Sequence, residues 1–396
     1  MTNLSNIINK KGQPKAIIDY ANNPKSVIFD FDEVVYMDYK KNIFINNKKI
    51  SGDPIEIWQS CVDSWKKIKS EKEIAAVGFF SYDFKNILFP EYPFKVHSNN
   101  KTPYFWFAKP SDSIELDSYQ YQYKNQIIKL KQDLIDIKKF DKIIKKIKRH
   151  LYNGDVYQIN FTQPILFDYN GDSLDLYMQI KEKAKPEFGF FLDINDFQIL
   201  SFSPEKFFTK DKNSIKSYPI KGTINRLNNI REDYVQIKRL QNSSKDRAEH
   251  LMIVDLLRND IGKISQFGSV KVDNLFNIKT FETIHHMESK ISGQPIKEIN
   301  EGDIIKSLFP GGSITGAPKY KAMQIIDSLE NYNRGIYTGC LGTIMGNGDM
   351  DFNICIRTMT VDKNTATYPV GGGIVWDSTS ELEYSEAKEK ANILDK

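Results

Sequence analysis

One lysine, one glutamate and two pairs of acids carry most of the chemistry this sequence could perform. Lys221 stands between Ile220 and Gly222 in YPIKGTINR (218–226), which reads as an apolar strand. Burial there would strip water from the ammonium and favour the free amine, a nucleophile or a base. The alternative is an edge-strand lysine that reaches solvent along its own stem. Glu205 follows a Ser-Pro turn in SFSPEKFF (201–208) among apolar neighbours. It is placed to act as a general acid, or merely to cap a nearby turn. Asp246 and Glu249 are three apart in DRAEHLMIVDLLRNDIGKI (246–264), and Glu383 and Glu386 are three apart in ELEYSEAKEKANIL (381–394). Each pair therefore shares one helix face. Acids at this spacing are usually just solvated. If the two pairs converge, they suit a hard divalent cation such as Mg2+, which takes one or two carboxylates plus waters and substrate oxygens.

Other residues suggest anion binding. Arg357 lies in the apolar strand ICIRTM, where a guanidinium needs an anionic partner, either a substrate carboxylate or a structural acid. His286, in IHHMES, reads as a satisfied core histidine, with a ligand or base role as the alternative. The loop GGSITGAPK (311–319) resembles an anion cradle at a helix start, although no GK[ST] follows at Walker A spacing. A plain helix-entry turn is the other reading, and Pro318 suits a first helical turn in both.

These residues need elements to hold them. The first part, to about residue 120, reads as short strands and turns such as SVIFDFDEVVYMD and IAAVGFFSYDF. From 121 to 151 Ile127, Leu130, Leu134 and Ile137 recur at helical spacing, so the lysine-rich segment is expected to be one helix with a solvated basic face. Glycines become positional after it. GDVYQINFTQP (154–164) reads as a turn into a strand, and 246–264 as an amphipathic helix. The expected division is an N-terminal region, 1–138, packed on a catalytic unit, 139–396, with no flexible tether.

With 396 residues, 40% hydrophobic and 27% charged, the chain is an ordinary globular protein long enough for a large core. A net charge of +4 argues against nucleic acid as a partner. Cys61, Cys340 and Cys355 are too scattered for a disulfide framework or a structural zinc site. MTNLSNIINKKGQPKA lacks the apolar core of a signal peptide, and no run of apolar residues suits a membrane span, so a cytoplasmic location and no membrane contact are expected.

In this order, DRAEHLMIVDLLRND, GGSITGAPK, RGIYTGCLG, IRT, GGGIVWDS and SEAKEKA resemble the chorismate-binding enzyme family. That family holds anthranilate synthase component I, aminodeoxychorismate synthase component I, and the isochorismate and salicylate synthases. The resemblance covers roughly 139–396; earlier, only AVGFFSYDF is similar. It implies an α+β fold of the anthranilate synthase component I kind: large antiparallel sheets packed in a sandwich, helices outside, and a central cleft.

The resemblance also implies roles. Lys221 in PIKGT stands where anthranilate synthases carry alanine; it marks the aminodeoxychorismate synthase branch, in which it is the covalent nucleophile. Gln158 in VYQIN stands where isochorismate-forming members carry a water-activating lysine, and so selects against hydroxylation. Glu205 matches the general acid/base. Glu249 and Glu386 match Mg2+ ligands, with Glu383 and the shorter Asp246 beside them or acting through water. Substrate contacts fall to Arg357, Tyr337, His286, Lys390 and the backbone of Thr315, Gly316, Ala317, Gly372 and Gly373.

The expected reaction converts chorismate and ammonia to 4-amino-4-deoxychorismate, toward 4-aminobenzoate and folate. No cysteine sits in a glycine-flanked elbow, so ammonia is expected from a separate glutamine amidotransferase subunit, forming a heterodimer. Nothing follows the chorismate unit, so no fused lyase is expected. The rivals are anthranilate synthase component I, an isochorismate or salicylate synthase, and a non-catalytic chorismate-binding regulatory partner.

Overall fold

The computed structural model describes residues 2–21, 23–95, 101–195, 197–281 and 284–392. Period-two patterns dominate its core strands. In Ile74–Phe80, Ala76 and Phe80 face one way while Val77 and Phe79 face the other. In Phe105–Leu116, Phe105 and Phe107 oppose Trp106 and Ala108. Ala16–Tyr20, Phe188–Asp193 and Gln198–Ser203 split likewise, with Ile17, Phe191 and Leu200 on one face and Ile18, Phe190 and Ile199 on the other. A strand apolar on both faces must be covered on both.

Apart from a small parallel pair of Thr2–Asn3 with Tyr119–Gln120, the strands form one antiparallel strip. At one end Ile220–Asn225 and Lys271–Thr280 pair with Ile284–Gly293. The order continues through Ile215–Ser217, Lys206–Lys210, Met350–Ile354, Cys340–Met345, Ile74–Phe80, Phe105–Leu116 and Lys25–Met37. It then runs through Ala16–Tyr20, Phe188–Asp193, Gln198–Ser203, Thr358–Asp362 and Thr365–Ile374 to Gln158–Tyr169 and Ile128–Gln132. The strip doubles over, so Val77, Phe79, Trp106, Phe190, Leu192 and Ile199 from its two halves share one inner layer. Strands from both sides of residue 139 pair directly.

Helices cover the outer faces. Pro54–Ile68, Ser244–Gly262 and Glu301–Leu308 bury Trp58, Trp65, Ile253, Leu257 and Ile304 on one half. Ser173–Ala184 and Ser380–Ala391 bury Leu174, Tyr177 and Ala387 on the other. Each such large apolar side chain contributes about 1.5–3 kcal/mol by leaving water. This is the expected α+β sandwich with helices outside. Among the described residues no helix is long and apolar enough to cross a membrane. The three cysteines are free and buried.

Two local expectations need correction. The segment 121–151 is not one helix: Ile128–Gln132 is a strand pairing with 166–169, and the helix spans only Ile137–Tyr152, capped by Asp136. Leu130 and Ile127 are exposed, so their helical spacing never met a core. The first 120 residues also hold helices, the longer ones being Leu4–Lys11 and Pro54–Ile68. The second carried readable signals: Asp53 accepting from the Ile55 and Glu56 amides, Pro54 at its start, and Ile55, Trp58, Val62 and Trp65 on one face.

Candidate active site

Lys221 sits in a break in its strand. Ile220 pairs with Glu288 and Thr223 with His286, so the Lys221 strand carries one residue more than its neighbour there. Such a bulge re-aims the side chain it contains. Gly222 completes it at φ +79°, where a side chain is strained, and a Cβ at that position would lie 3.2 Å from Asp246 Cβ. Lys221 is half-buried, not sealed within an apolar strand, and among the described residues its amine has no hydrogen bond or ion pair. A Cβ added at Gly373 would lie 2.9 Å from both Lys221 Nζ and Gln158 Nε2. The two ends of the strip therefore meet here, since Lys221 belongs to one and Gln158 and Gly373 to the other.

Glu205 occupies the gap between Gln198–Ser203 and Lys206–Lys210. It is 7% exposed. Its Oε1 accepts a hydrogen bond from Ser313 Oγ at 2.8 Å, which ties it to the glycine loop. Burial pushes this carboxyl up to about 7; the Ser313 bond and the Lys221 charge oppose that rise without cancelling it.

The two acidic helices face one another. A Cβ at Gly372 would lie 3.3 Å from Glu383 Oε2 and 3.6 Å from Glu386 Oε1. Burial raises Glu249, Lys221 and Lys245 oppose the rise, and Asp246 and Glu383 add to it. Burial also raises Glu383, with Glu386 adding to it. Burial works to raise Glu386 too, but Lys390, then Lys221 and Lys245, outweigh it and hold that carboxyl below its usual range. Lys390 Nζ lies 2.6 Å from Glu386 Oε1 and donates to the Gly371 carbonyl at 2.8 Å. Among the described residues no three acids, histidines or cysteines form a ready-made metal cage. What the helices offer is one or two carboxylates each, side by side, with repulsion that a cation would relieve.

His286 Nδ1 is 2.8 Å from the Thr223 hydroxyl. Burial, with the Arg357 and Lys279 charges, pushes the imidazole down to about 4, so it is neutral. Arg357 is half-buried and has no side-chain hydrogen bond or ion pair among the described residues. Its φ of 49° is left-handed, as is that of Thr338 at 60°. Tyr337 is buried, and burial raises its hydroxyl, so it is a neutral donor. The loop glycines serve close packing: Gly316 lies against the Gln158 carbonyl and Gly312 against Leu256. Thr315 turns its hydroxyl back to the Gly311 carbonyl, while its amide donates to the Gly312 carbonyl and its own carbonyl accepts from the Asn160 amide. Lys319 pairs with Asp260 at 2.5 Å, so it adds no charge to an anion cradle. Pro318 precedes the helix Lys319–Leu329 directly.

The family model described as chorismate binding enzyme matches residues 13–396. The chain belongs to that family. The match begins well before residue 139, so family character reaches into the first strands, further than the sequence motifs suggested. Aminodeoxychorismate synthase component 1 of Escherichia coli is 44% identical over 248 residues, 63% of this chain and 55% of that protein. Anthranilate synthase component 1 of Saccharolobus solfataricus is 35% identical over 255 residues, 64% of this chain and 61% of that protein. The matched part thus spans about half the length of such relatives. Anthranilate synthase component I of Streptococcus pneumoniae has the same fold, with a TM-score of 0.85 at 24% identity over 96% of this chain and 93% of that one.

Sequence reasoning missed several residues that the structure brings to or beside this candidate site. Ser313 lay inside a motif read as backbone only. Lys245 reaches Glu249 at 3.9 Å and influences both Glu383 and Glu386; its place just before Asp246 was the available signal. Arg334 and Glu330 are 4% and 5% exposed. Arg334 binds Glu330 through two nitrogens at 2.8 and 2.7 Å and donates to the carbonyls of Asn160 and Ile314. Its RGIY motif was read only for the tyrosine.

Proposed function

We propose that this chain aminates chorismate at C4, giving 4-amino-4-deoxychorismate, with Lys221 as covalent nucleophile. The observation that carries this reading is an amine, without a hydrogen-bond or ion-pair partner among the described residues, aimed by a bulge between a buried Glu205 whose carboxyl is raised to about 7 and two facing acidic helices. Chorismate is a dianion whose C4 hydroxyl leaves poorly. The Arg357 guanidinium, unpaired among the described residues, and the neutral Tyr337 hydroxyl suit its enolpyruvyl carboxylate. Glu249 and Glu386, with Asp246 and Glu383 beside them, suit Mg2+, an ion content with few protein carboxylates and several waters or substrate oxygens. When bound there, the ion would supply positive charge to the ring carboxylate.

The neutral Lys221 amine attacks C2. The ring double bonds shift, the C4–O bond breaks, and the oxygen leaves as water with the Glu205 proton. Ammonia then forms the C4–N bond, the C2–N bond to Lys221 breaks, and the excess ammonium proton returns to Glu205. Two easier displacements replace one hard one. His286 and the backbone from Thr315 to Ala317 and at Gly372 and Gly373 line the ring. Gln158, whose amide is not a base, stands where a lysine would activate water for attack at C2.

Relatives named component 1 support a second subunit, and a glutamine amidotransferase would supply the ammonia. The test is incubation with chorismate, ammonium and Mg2+, then mass and fluorescence analysis. The expected product is 4-amino-4-deoxychorismate, which becomes 4-aminobenzoate only when a lyase is added. Fluorescent anthranilate formed without a lyase would reject the reading in favour of C2 amination; ligand binding without turnover would leave a chorismate-binding regulatory protein.

A further inference from the structure

Gln158 is fully buried, and among the described residues neither atom of its amide has a hydrogen-bond partner. Buried amides are almost always paired, so this one calls for a partner nearby. Its backbone is fixed on two sides: Gln158 pairs with Ala317, and Ile159 with Ile374. The side chain lies against Gly373, at the same point where Lys221 Nζ arrives, both nitrogens being 2.9 Å from where a Cβ would stand. Two polar groups without partners among the described residues thus converge on one glycine.

Resting on the reading of Lys221 as nucleophile, we infer that Gln158 is a positioning residue that holds the Lys221 amine in line for attack. An amide suits this task because it carries a neutral acceptor. Its Oε1 accepts an N–H from the ammonium and from the free amine alike, which leaves the amine's lone pair open for attack. One side chain therefore holds the nucleophile before and after it gives up a proton. A lysine at 158 would set two cations together; a glutamate would favour the ammonium, which cannot attack. The bare face of Gly373 leaves room for both nitrogens.

The test uses the full chain with Gln158→Met and Gln158→Glu, each near glutamine in size. Turnover is followed with chorismate, ammonium and Mg2+. Separately, without substrate, trinitrobenzenesulfonate labels Lys221 at one fixed pH, read by peptide mass spectrometry with Lys221→Ala as the blank. Gln158→Met is expected to lower kcat by roughly tenfold to a hundredfold, with KM for chorismate within about twofold. Gln158→Glu is expected to slow labelling by about tenfold, through the nearby negative charge. A raised KM with unchanged kcat in Gln158→Met would overturn the inference, because the amide would then hold substrate. So would an unchanged labelling rate in Gln158→Glu. The two variants are read independently, so the unfolding of one leaves the other decisive. Full amination by Lys221→Ala would instead sink the nucleophile reading, while the labelling arm still decides the contact.

Discussion

At the scale of single residues, Glu205 links chemistry to stability. Its carboxyl is raised from the model-peptide value to about 7 because folding takes it out of water. The folded state therefore prefers the protonated form. That contribution is fully present below about pH 4.5 and is lost as pH rises to 7, amounting to at most about 3 kcal/mol. Glu205→Gln cannot ionise, so its melting temperature is expected to exceed that of the parent at pH 8 and to fall less between pH 5 and 8, as thermal scans would record. The same variant cannot protonate the leaving hydroxyl, and its kcat is expected to fall by roughly a hundredfold or more. Gly373 makes a second case. Alanine there would put a methyl 2.9 Å from the Lys221 amine and the Gln158 amide. Gly373→Ala is expected to lower kcat by at least about tenfold while leaving the melting curve nearly unchanged. A melting temperature that falls with kcat would make the glycine a packing residue instead.

Elements explain which residues were legible. The Ser244–Gly262 helix could be read because its acids and apolar residues keep helical spacing, so the facing of Asp246 and Glu249 followed from the chain alone. Lys221 was legible as an unusual residue, but not as a bulged one. The bulge depends on pairing with Ile284–Gly293, more than 60 residues away, and no local pattern records it. Likewise 128–132 has helix-like spacing, and only pairing with Gln158–Tyr169 makes it a strand. Lys245 could be flagged by its place beside Asp246, but not its influence on Glu383 and Glu386, which arises between two helices far apart in the chain. The two acidic helices give a prediction at this scale. Excess chelator is expected to abolish turnover and added Mg2+ to restore it. Glu249→Gln with Glu386→Gln is expected to raise the Mg2+ concentration needed for half-maximal rate. Turnover that persists in chelator would remove the metal from the scheme.

For the whole molecule, the decisive feature is the return of the strip upon itself. The Lys221 strand and the Gln158 and Gly373 strands are its opposite ends, yet they meet at one point. Such a seam needs a rigid fastening, and Arg334 supplies part of it. Its guanidinium joins the Gln158 strand, the glycine loop, Glu330 and the left-handed Thr338, while Glu330 accepts from the Thr162 amide and hydroxyl at 2.8 Å. Arg334→Leu would leave Glu330 buried and unpaired, and is expected to destabilise the fold by about 3–5 kcal/mol in denaturant titration. Arg334→Leu combined with Glu330→Leu is expected to recover part of that loss. What the seam holds is finally the amine at 221, and quenched mass spectrometry tests it most directly. Mixed with chorismate and Mg2+ but no ammonia, the chain is expected to gain the mass of chorismate less water on the peptide containing Lys221, and to lose that mass when ammonium is added. An unmodified peptide in a chain that aminates chorismate at full rate would contradict the account.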